Sequence, residues 1–131
     1  MNRFPFISAP HTKTLLRVAI GLIMVSHGIA RLSLGTVNEF GELLDIKGLP
    51  AGVFIAWTVT ILEILAGLIL ASGHLVRIIC LWFILQHIFG IILIHAGNGW
   101  FVVGSQTGGI EFSALLIVCL IVIAANHKKT P

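Results

Sequence analysis

The chain has 131 residues, of which 57% are hydrophobic and 10% charged, and its mean hydropathy is +1.06. This composition excludes a water-soluble globular protein, and the length predicts a single domain. The formal charge of +3 is not arranged as a basic stripe with interleaved aromatic residues, so the sequence predicts no nucleic-acid partner.

Four long apolar segments predict an all-α membrane protein. Each has about 20 residues, the length that a helix needs to cross roughly 30 Å of hydrocarbon. A helix also satisfies its own backbone hydrogen bonds in lipid. We therefore expect an integral membrane four-helix bundle that forms a single membrane domain over residues 1–131. The predicted spans are 15–32, 51–72, 75–95 and 110–126.

The first span also has features of a cleaved signal peptide, because Arg3 and Lys13 precede its apolar core. Three observations argue against cleavage. Arg17 interrupts the start of the span, His27 and Arg31 lie at its end, and no Ala-x-Ala-like site follows closely. We expect the segment to be retained as a membrane helix.

The distribution of Lys and Arg predicts the orientation of the bundle. Most of these residues lie near the N-terminus, in the turn between the second and third spans, or at the C-terminus, whereas loops 33–50 and 96–109 carry few. By the positive-inside rule both termini are cytoplasmic and these loops face outward, in a bacterial-type cytoplasmic (inner) membrane. The residues on the predicted inner side are Arg3, Lys13, Arg17, Arg77, Lys128 and Lys129.

The two outward loops have distinct compositions. Thr36 and Glu39 fit a capping box at the start of a short amphipathic helix over 37–47, which we expect to lie in the outer interface. The loop 96–109 is rich in glycine, carries no charge and includes the interfacial residue Trp100. Such a loop fits either a lid beside a ligand site or a flexible turn anchored by its aromatic residues.

Six ionisable side chains lie inside or at the ends of the predicted spans, at depths that place them in the outer half of the membrane. Ionisable groups are rare there and usually face an interior cavity. They are His27, Arg31, Glu63, His87, His95 and Glu111.

Most of the six also have a structural interpretation. Arg31 could extend to the head groups, and Glu111 suits a helix N-terminus. Histidines can serve as packing residues between helices. Glu63 is the exception, since a carboxylate at mid-depth needs a polar partner, and we expect it to contact His27 or Arg31. Gln86 fits either the pocket or an interhelical bond.

The sequence gives little support for disulfide exchange or for metal binding. Cys80 and Cys119 form no C-x-x-C motif, so we interpret both as packing residues rather than as a disulfide-exchange centre. The histidines and acids lack a recognised ligand spacing, so no metal site is predicted. Gly21 and Gly28 are expected to form close contacts between helices.

Several short motifs together resemble the DoxX/DoxD-like family of small four-helix membrane proteins. They are Arg17-x3-Gly21-x5-His27-Gly28-x2-Arg31, Gly48-Leu49-Pro50, Glu63 with Gly67, Gly73 with Arg77, Asn98-Gly99-Trp100-Phe101 and Gly108-Gly109-x-Glu111. One departure is Arg31, where the family more often has Lys. A fixed guanidinium does not exchange a proton as an amine does, which argues against proton relay at this position.

The resemblance implies a membrane protein linked to redox complexes. The family is similar to the small membrane subunit of archaeal thiosulfate:quinone oxidoreductase, and other members act as assembly factors. We therefore expect a redox-linked subunit with an outer pocket for a quinone or a similar ligand. Its predicted ligand-binding residues are His27, Arg31, Glu63, His87, Glu111 and Trp100.

Two other functions remain open from the sequence. One is a non-catalytic accessory subunit or assembly factor of a larger membrane complex, and the other is a transporter for protons or a small solute. Besides the lipid bilayer, the expected partners are other membrane subunits or further copies of the chain. The electron donor and any activity of the chain alone are not specified by the sequence.

Overall fold

The computed structural model describes residues 6–103 and 108–128, and within these ranges the chain is all helical. Within the described residues three stretches are long and apolar enough to cross a membrane: Ala9–Leu34, Gly52–Ser72 and Val76–Asn98. The last of these comprises α4 followed by a π-helical turn, Ile91–His95, and a 3₁₀ turn, Ala96–Asn98. The α-helices in the described part of the chain are α1 (Ala9–Leu34), α2 (Val37–Ile46), α3 (Gly52–Ser72), α4 (Val76–Gly90) and α5 (Glu111–Asn126).

Helix α1 begins six residues before the predicted span. Pro10 lies in its first turn, where the missing N–H costs nothing and the fixed φ favours a helix start. The helix ends at Gly35, whose φ of 69° is the left-handed conformation in which glycine commonly terminates helices. Thus the apolar pattern located the apolar part of α1 but not its first turns.

Glycines bring α1 and α3 into close contact. A Cβ atom on Gly21 would lie 2.6 Å from the carbonyl oxygen of Gly67, and one on Gly28 would lie 2.8 Å from that of Thr60. Neither position accepts a side chain without movement of the backbone. The interhelical contacts predicted for Gly21 and Gly28 are therefore present, and they fix how residues further along both helices face each other.

Helix α2 confirms the short helix predicted over 37–47, but not its capping box. Thr36 is the N-cap residue, yet its side chain forms no capping hydrogen bond. Its backbone N–H instead donates to the carbonyl of Arg31 at the end of α1, and its ψ of 8° differs from the extended geometry of a capping residue. The tight connection between α1 and α2 accounts for the difference.

Helix α2 packs against the beginning of α3. Val37 and Leu44 are buried against Ala56. The carboxylate of Asp45 accepts a hydrogen bond of 2.8 Å from the backbone N–H of Gly52. A charged cap at a helix start is favourable because the first N–H groups have no partner within the helix.

The helices pack as two pairs. Helix α1 packs mainly on α3, and α4 packs mainly on α5, whereas α3 and α4 contact each other sparsely. An apolar core centred on Met24 and Phe83 joins the pairs near the turn between α3 and α4. We call this the turn end of the molecule and the opposite end the α2 end. At the α2 end the space between the pairs is left open.

Candidate functional site

An ion pair joins the part of α1 near the α2 end to the middle of α3. The guanidinium Nη2 of Arg31 lies 2.6 Å from Oε2 of Glu63, whose side chain is only 2% exposed. Nη1 of Arg31 donates to the hydroxyl of Thr60 at 3.1 Å, and that hydroxyl donates to the carbonyl of Ala56. The ring of Phe40 lies 5.1 Å from the guanidinium carbon. Arg31 therefore points into the protein, and the partner predicted for Glu63 is found.

Gln86 connects this pair to α4. Its amide Nε2 donates a hydrogen bond to Oε1 of Glu63, so the two carboxylate oxygens receive Gln86 and Arg31 separately. The other amide atom of Gln86, Oε1, is buried and has no hydrogen-bond partner among the described residues. The sequence left the role of Gln86 open, and the structure makes it a partner of Glu63.

Depth was the signal that could have identified Gln86. Glu63 lies about 16 Å along α3 from its first residue, and Gln86 lies about 15 Å along α4 from its own. Because the two helices run in opposite directions, both side chains lie near the middle of the molecule. A polar residue at the same depth as a buried acid is a natural partner.

The histidines differ in their environments. The ring of His27 packs against that of Phe112, with 5.9 Å between centroids. In His87, Nδ1 lies 2.7 Å from the carbonyl oxygen of Phe83, and in His95 it lies 2.5 Å from that of Gly108. A carbonyl oxygen only accepts, so Nδ1 carries the proton in both rings. In a neutral imidazole this leaves Nε2 as an acceptor.

A cavity of about 640 Å³ occupies the open space between the helix pairs. It has a mostly apolar lining and a few polar groups, as small-molecule sites commonly do. Four of the six predicted ligand-binding residues line it, and Gln86, His95 and Ser113 add further polar groups. The four are His27, Arg31, Glu63 and His87.

Glu111 and Trp100 are not among the residues that line the cavity. Oε1 of Glu111 accepts a hydrogen bond of 2.9 Å from the backbone N–H of Val102, and its own N–H donates to the carbonyl of Trp100. These bonds connect the two ends of the loop between α4 and α5. The side chain of Trp100 is 54% exposed. The middle of this loop, 104–107, lies outside the described residues, as do Arg3 and Lys129.

The two cysteines lie apart from this cavity. Cys80 is buried in the apolar core, Cys119 packs against the same core, and both thiols are free. Within residues 6–103 and 108–128, no group of three or more His, Cys, Asp or Glu side chains is placed to hold a metal ion. The polar network around Glu63 is thus the principal chemical feature of the described chain.

The long apolar helices and the cavity lined by the Arg31–Glu63 pair define a small integral membrane protein with a polar site. Residues 12–96 match the DoxX family, and the chain belongs to that family. It is also 30% identical over 117 residues to a Bacillus subtilis (strain 168) protein that carries the name "Putative oxidoreductase CatD". The match covers 88% of this chain and 78% of that protein. No solved structure matches the chain.

Proposed function

We propose that this chain is a redox-linked membrane subunit whose cavity at the α2 end binds a quinone or a similar lipid-soluble ligand. The observation that carries the proposal is the network of the buried Glu63 with Arg31 and Gln86 in the wall of a mostly apolar cavity of about 640 Å³. This volume is in the usual range for small-molecule sites, roughly 300–1,000 Å³. The name of the Bacillus subtilis relative, "Putative oxidoreductase CatD", supports a redox role.

The residues of the cavity suit a quinone head group. Its two carbonyl oxygens need hydrogen-bond donors, and its reduction needs groups that hold or deliver protons. Arg31 and His27 supply donors, and Glu63 and His87 supply groups that exchange protons. The apolar lining accommodates the ring and the first part of a tail. In this proposal Glu111 and Trp100 contribute by shaping the loop at the rim.

The proposal includes a four-span bundle that forms one membrane domain with both termini in the cytoplasm. Helix α5 has 16 residues, which is about 24 Å of helix. It is apolar throughout, and short spans are accommodated by local thinning of the bilayer. With this orientation the α2 end and its cavity face outward, in the cytoplasmic membrane of a bacterial-type cell.

The chain has no motif for an electron carrier, so we propose that a partner subunit supplies the electrons. This partner would be another membrane protein or a further copy of the chain. Broad apolar surfaces on α4 and α5 are available for lipid or for such a partner, with Phe89 and Leu115 about 60% exposed.

A non-catalytic accessory subunit or assembly factor is the second proposal. It is favoured by the extent to which Arg31, Glu63 and Thr60 satisfy one another, since a closed polar network can serve structure alone. Transport is less well supported. The apolar core around Phe83 fills the space between the helix pairs at the turn end, where a path across the membrane would have to continue.

Analysis of lipids that co-purify with the protein distinguishes these proposals. The protein would be purified in mild detergent, extracted with organic solvent and analysed by mass spectrometry for quinones. A quinone retained in molar proportion by wild type and by Thr58→Val, but depleted in Arg31→Met, supports the redox role. Thr58 is exposed on α3 and serves as the matched control. Wild-type protein that retains no quinone and binds none when it is added supports the accessory role.

A further inference from the structure

The cavity reaches the surface of the protein between α3 and α4. Three residues of α4 line it at spacings of three and four, which places them along one helical face: Trp82, Leu85 and Phe89. This face is directed toward α3, because Gln86 lies within it and bonds to Glu63. The three side chains are 39%, 46% and 61% exposed. They line the cavity and also reach the apolar surface, so they form an edge of the cavity.

The Gln86–Glu63 bond fixes the level of this opening. Because α3 and α4 run in opposite directions, Val59 and Phe89 both lie about one turn from the bond, on the side of the α2 end. Val59 is half-buried and lines the cavity from α3. The two helices contact each other sparsely here. The gap between Val59 and Phe89 therefore leads from the apolar surface to the polar wall of the cavity.

In the described part of the chain, other residues cover the remaining sides of the cavity. At the α2 end Phe40 and Leu44 line it, and Leu44 is buried against α3. Between α1 and α5 the ring of His27 packs against that of Phe112. Toward the turn end the core around Phe83 fills the space. The side between α3 and α4 is thus the one at which an apolar molecule in the bilayer meets the cavity.

We infer that the ligand enters from the membrane through this gap, with its polar head toward Glu63 and Arg31 and its apolar tail between Val59 and Phe89. This inference rests on the proposed function and specifies the class of ligand, an amphiphile whose tail extends into the bilayer. An apolar tail remains in lipid at no cost, whereas exposure to water would be unfavourable. The site therefore recognises the head and the first part of the tail, and leaves the far end of the tail outside.

Two ligands with the same head and different tail ends test where the tail lies. Decylubiquinone, and a decylubiquinone whose tail ends in a triphenylphosphonium group, would be titrated by calorimetry into wild-type protein in lipid nanodiscs. An enclosed site excludes the bulky cation, but a tail that passes through the gap holds it outside the protein. After correction for partition into the lipid, we expect dissociation constants within about threefold of each other.

Substitutions on α3 test the route itself. Val59→Trp narrows the gap and should weaken the binding of decylubiquinone about tenfold. The control is Thr58→Trp, at a neighbouring position that is exposed and does not line the cavity, and it should keep the wild-type affinity. Thermal unfolding shows whether both variants are folded. Unchanged affinity in a folded Val59→Trp protein would show that the ligand enters by another side, and would overturn the inference.

Fluorescence tests whether the gap faces lipid without any ligand. The three tryptophans of the chain, Trp57, Trp82 and Trp100, would be replaced by phenylalanine, and Phe89→Trp would supply a single reporter. Dibrominated phospholipid in the nanodisc should quench this reporter about as strongly as one placed at the exposed Val118 of α5, and aqueous iodide should not. A reporter that iodide quenches and brominated lipid does not would show that the gap opens to water, and would overturn the inference.

The wild-type titrations separate the inference from the proposed function. Binding of decylubiquinone with at least about tenfold weaker binding of the triphenylphosphonium derivative would show that the cavity encloses the whole ligand. That result would overturn the inference and leave a quinone site in place. A wild-type protein that binds neither compound would overturn the proposed function itself. Because these titrations use wild-type protein, they do not depend on the folding of any variant.

Discussion

Gln86 and Glu63 meet across the gap between α3 and α4, where the amide of the first donates a hydrogen bond to the carboxylate of the second. The helices that carry them contact each other sparsely, so this bond is a specific polar link between the two helix pairs. The other oxygen of the Glu63 carboxylate, Oε2, lies 2.6 Å from Nη2 of Arg31. Removal of this one carboxylate therefore affects three helices, which makes Glu63 the first target for mutation.

Glu63→Gln should destabilise the protein less than Glu63→Leu. Glutamine keeps an acceptor for Arg31, whereas leucine leaves the guanidinium without its carboxylate partner and with only Thr60 as a hydrogen-bond acceptor. Breaking a buried ion pair by removal of one partner costs about 3–5 kcal/mol, and we expect Glu63→Leu to lie near the lower value because Arg31 is partly exposed. Unfolding in detergent measures the difference, with the exposed Glu42→Gln as control. Equal stabilities of the two Glu63 variants would contradict the network.

Gly28→Ala should destabilise the contact between α1 and α3. The added Cβ would lie 2.6 Å from Cγ1 of Ile64 and 2.8 Å from the carbonyl oxygen of Thr60. Overpacking of this kind typically costs about 1–3 kcal/mol. In Gly90→Ala, the control, the new methyl group has nothing within 4 Å, and the better helix propensity of Ala should be neutral or stabilising. The thermal unfolding midpoints of both variants, compared with wild type, test this difference, and a Gly28→Ala midpoint at or above that of Gly90→Ala would refute it.

Leu85→Trp should reduce ligand binding without unfolding the protein. Leu85 is half exposed at the opening between α3 and α4, so a larger side chain there narrows access and remains in an apolar environment. We expect about a tenfold loss of affinity for decylubiquinone, measured in nanodiscs by calorimetry. The control is Val118→Trp, at an exposed apolar position on α5 that does not line the cavity. A loss of the same size in both variants would argue against access at this position.

The proposed orientation predicts opposite labelling at two exposed positions. In a background of Cys80→Ala and Cys119→Ala, a cysteine at Glu42 on α2 should react with a membrane-impermeant maleimide added to whole cells. A cysteine at Lys128 should react only after the cells are opened. External labelling of Lys128→Cys would show that the C-terminus is outside and that the assignment of sides is wrong.

The sequence predicted the helices better than the contacts between their side chains. Hydropathy and length are sums over many residues, so they located the helical segments and the short helix α2, although not the first turns of α1. The pairing of Arg31 with Glu63 was among the predicted alternatives because a mid-depth acid has few possible partners. His27 and Arg31 are four residues apart on one face of α1, so periodicity did not choose between them. In the structure Arg31 pairs with Glu63, and His27 packs against Phe112.

Two positions show why the remaining contacts were not predicted. Glu111 was predicted in the first turn of the last helix and lies there, but its carboxylate binds the backbone N–H of Val102, a contact that depends on the path of the loop. Gln86 was recognised as polar but not as a partner of Glu63, because periodicity does not specify which residues face each other across a gap. Whether the six predicted residues bind a ligand stays a prediction.

Photoaffinity labelling with an azidoquinone tests the central claim most directly, because it locates the bound ligand on the chain. The account predicts that mass spectrometry finds the label on the cavity segment of α4, around Leu85 and Phe89, and that excess decylubiquinone suppresses this labelling. Label spread along the lipid-facing side of α5, around Val118 and Ile121, and unaffected by the competitor would contradict a quinone site in this cavity.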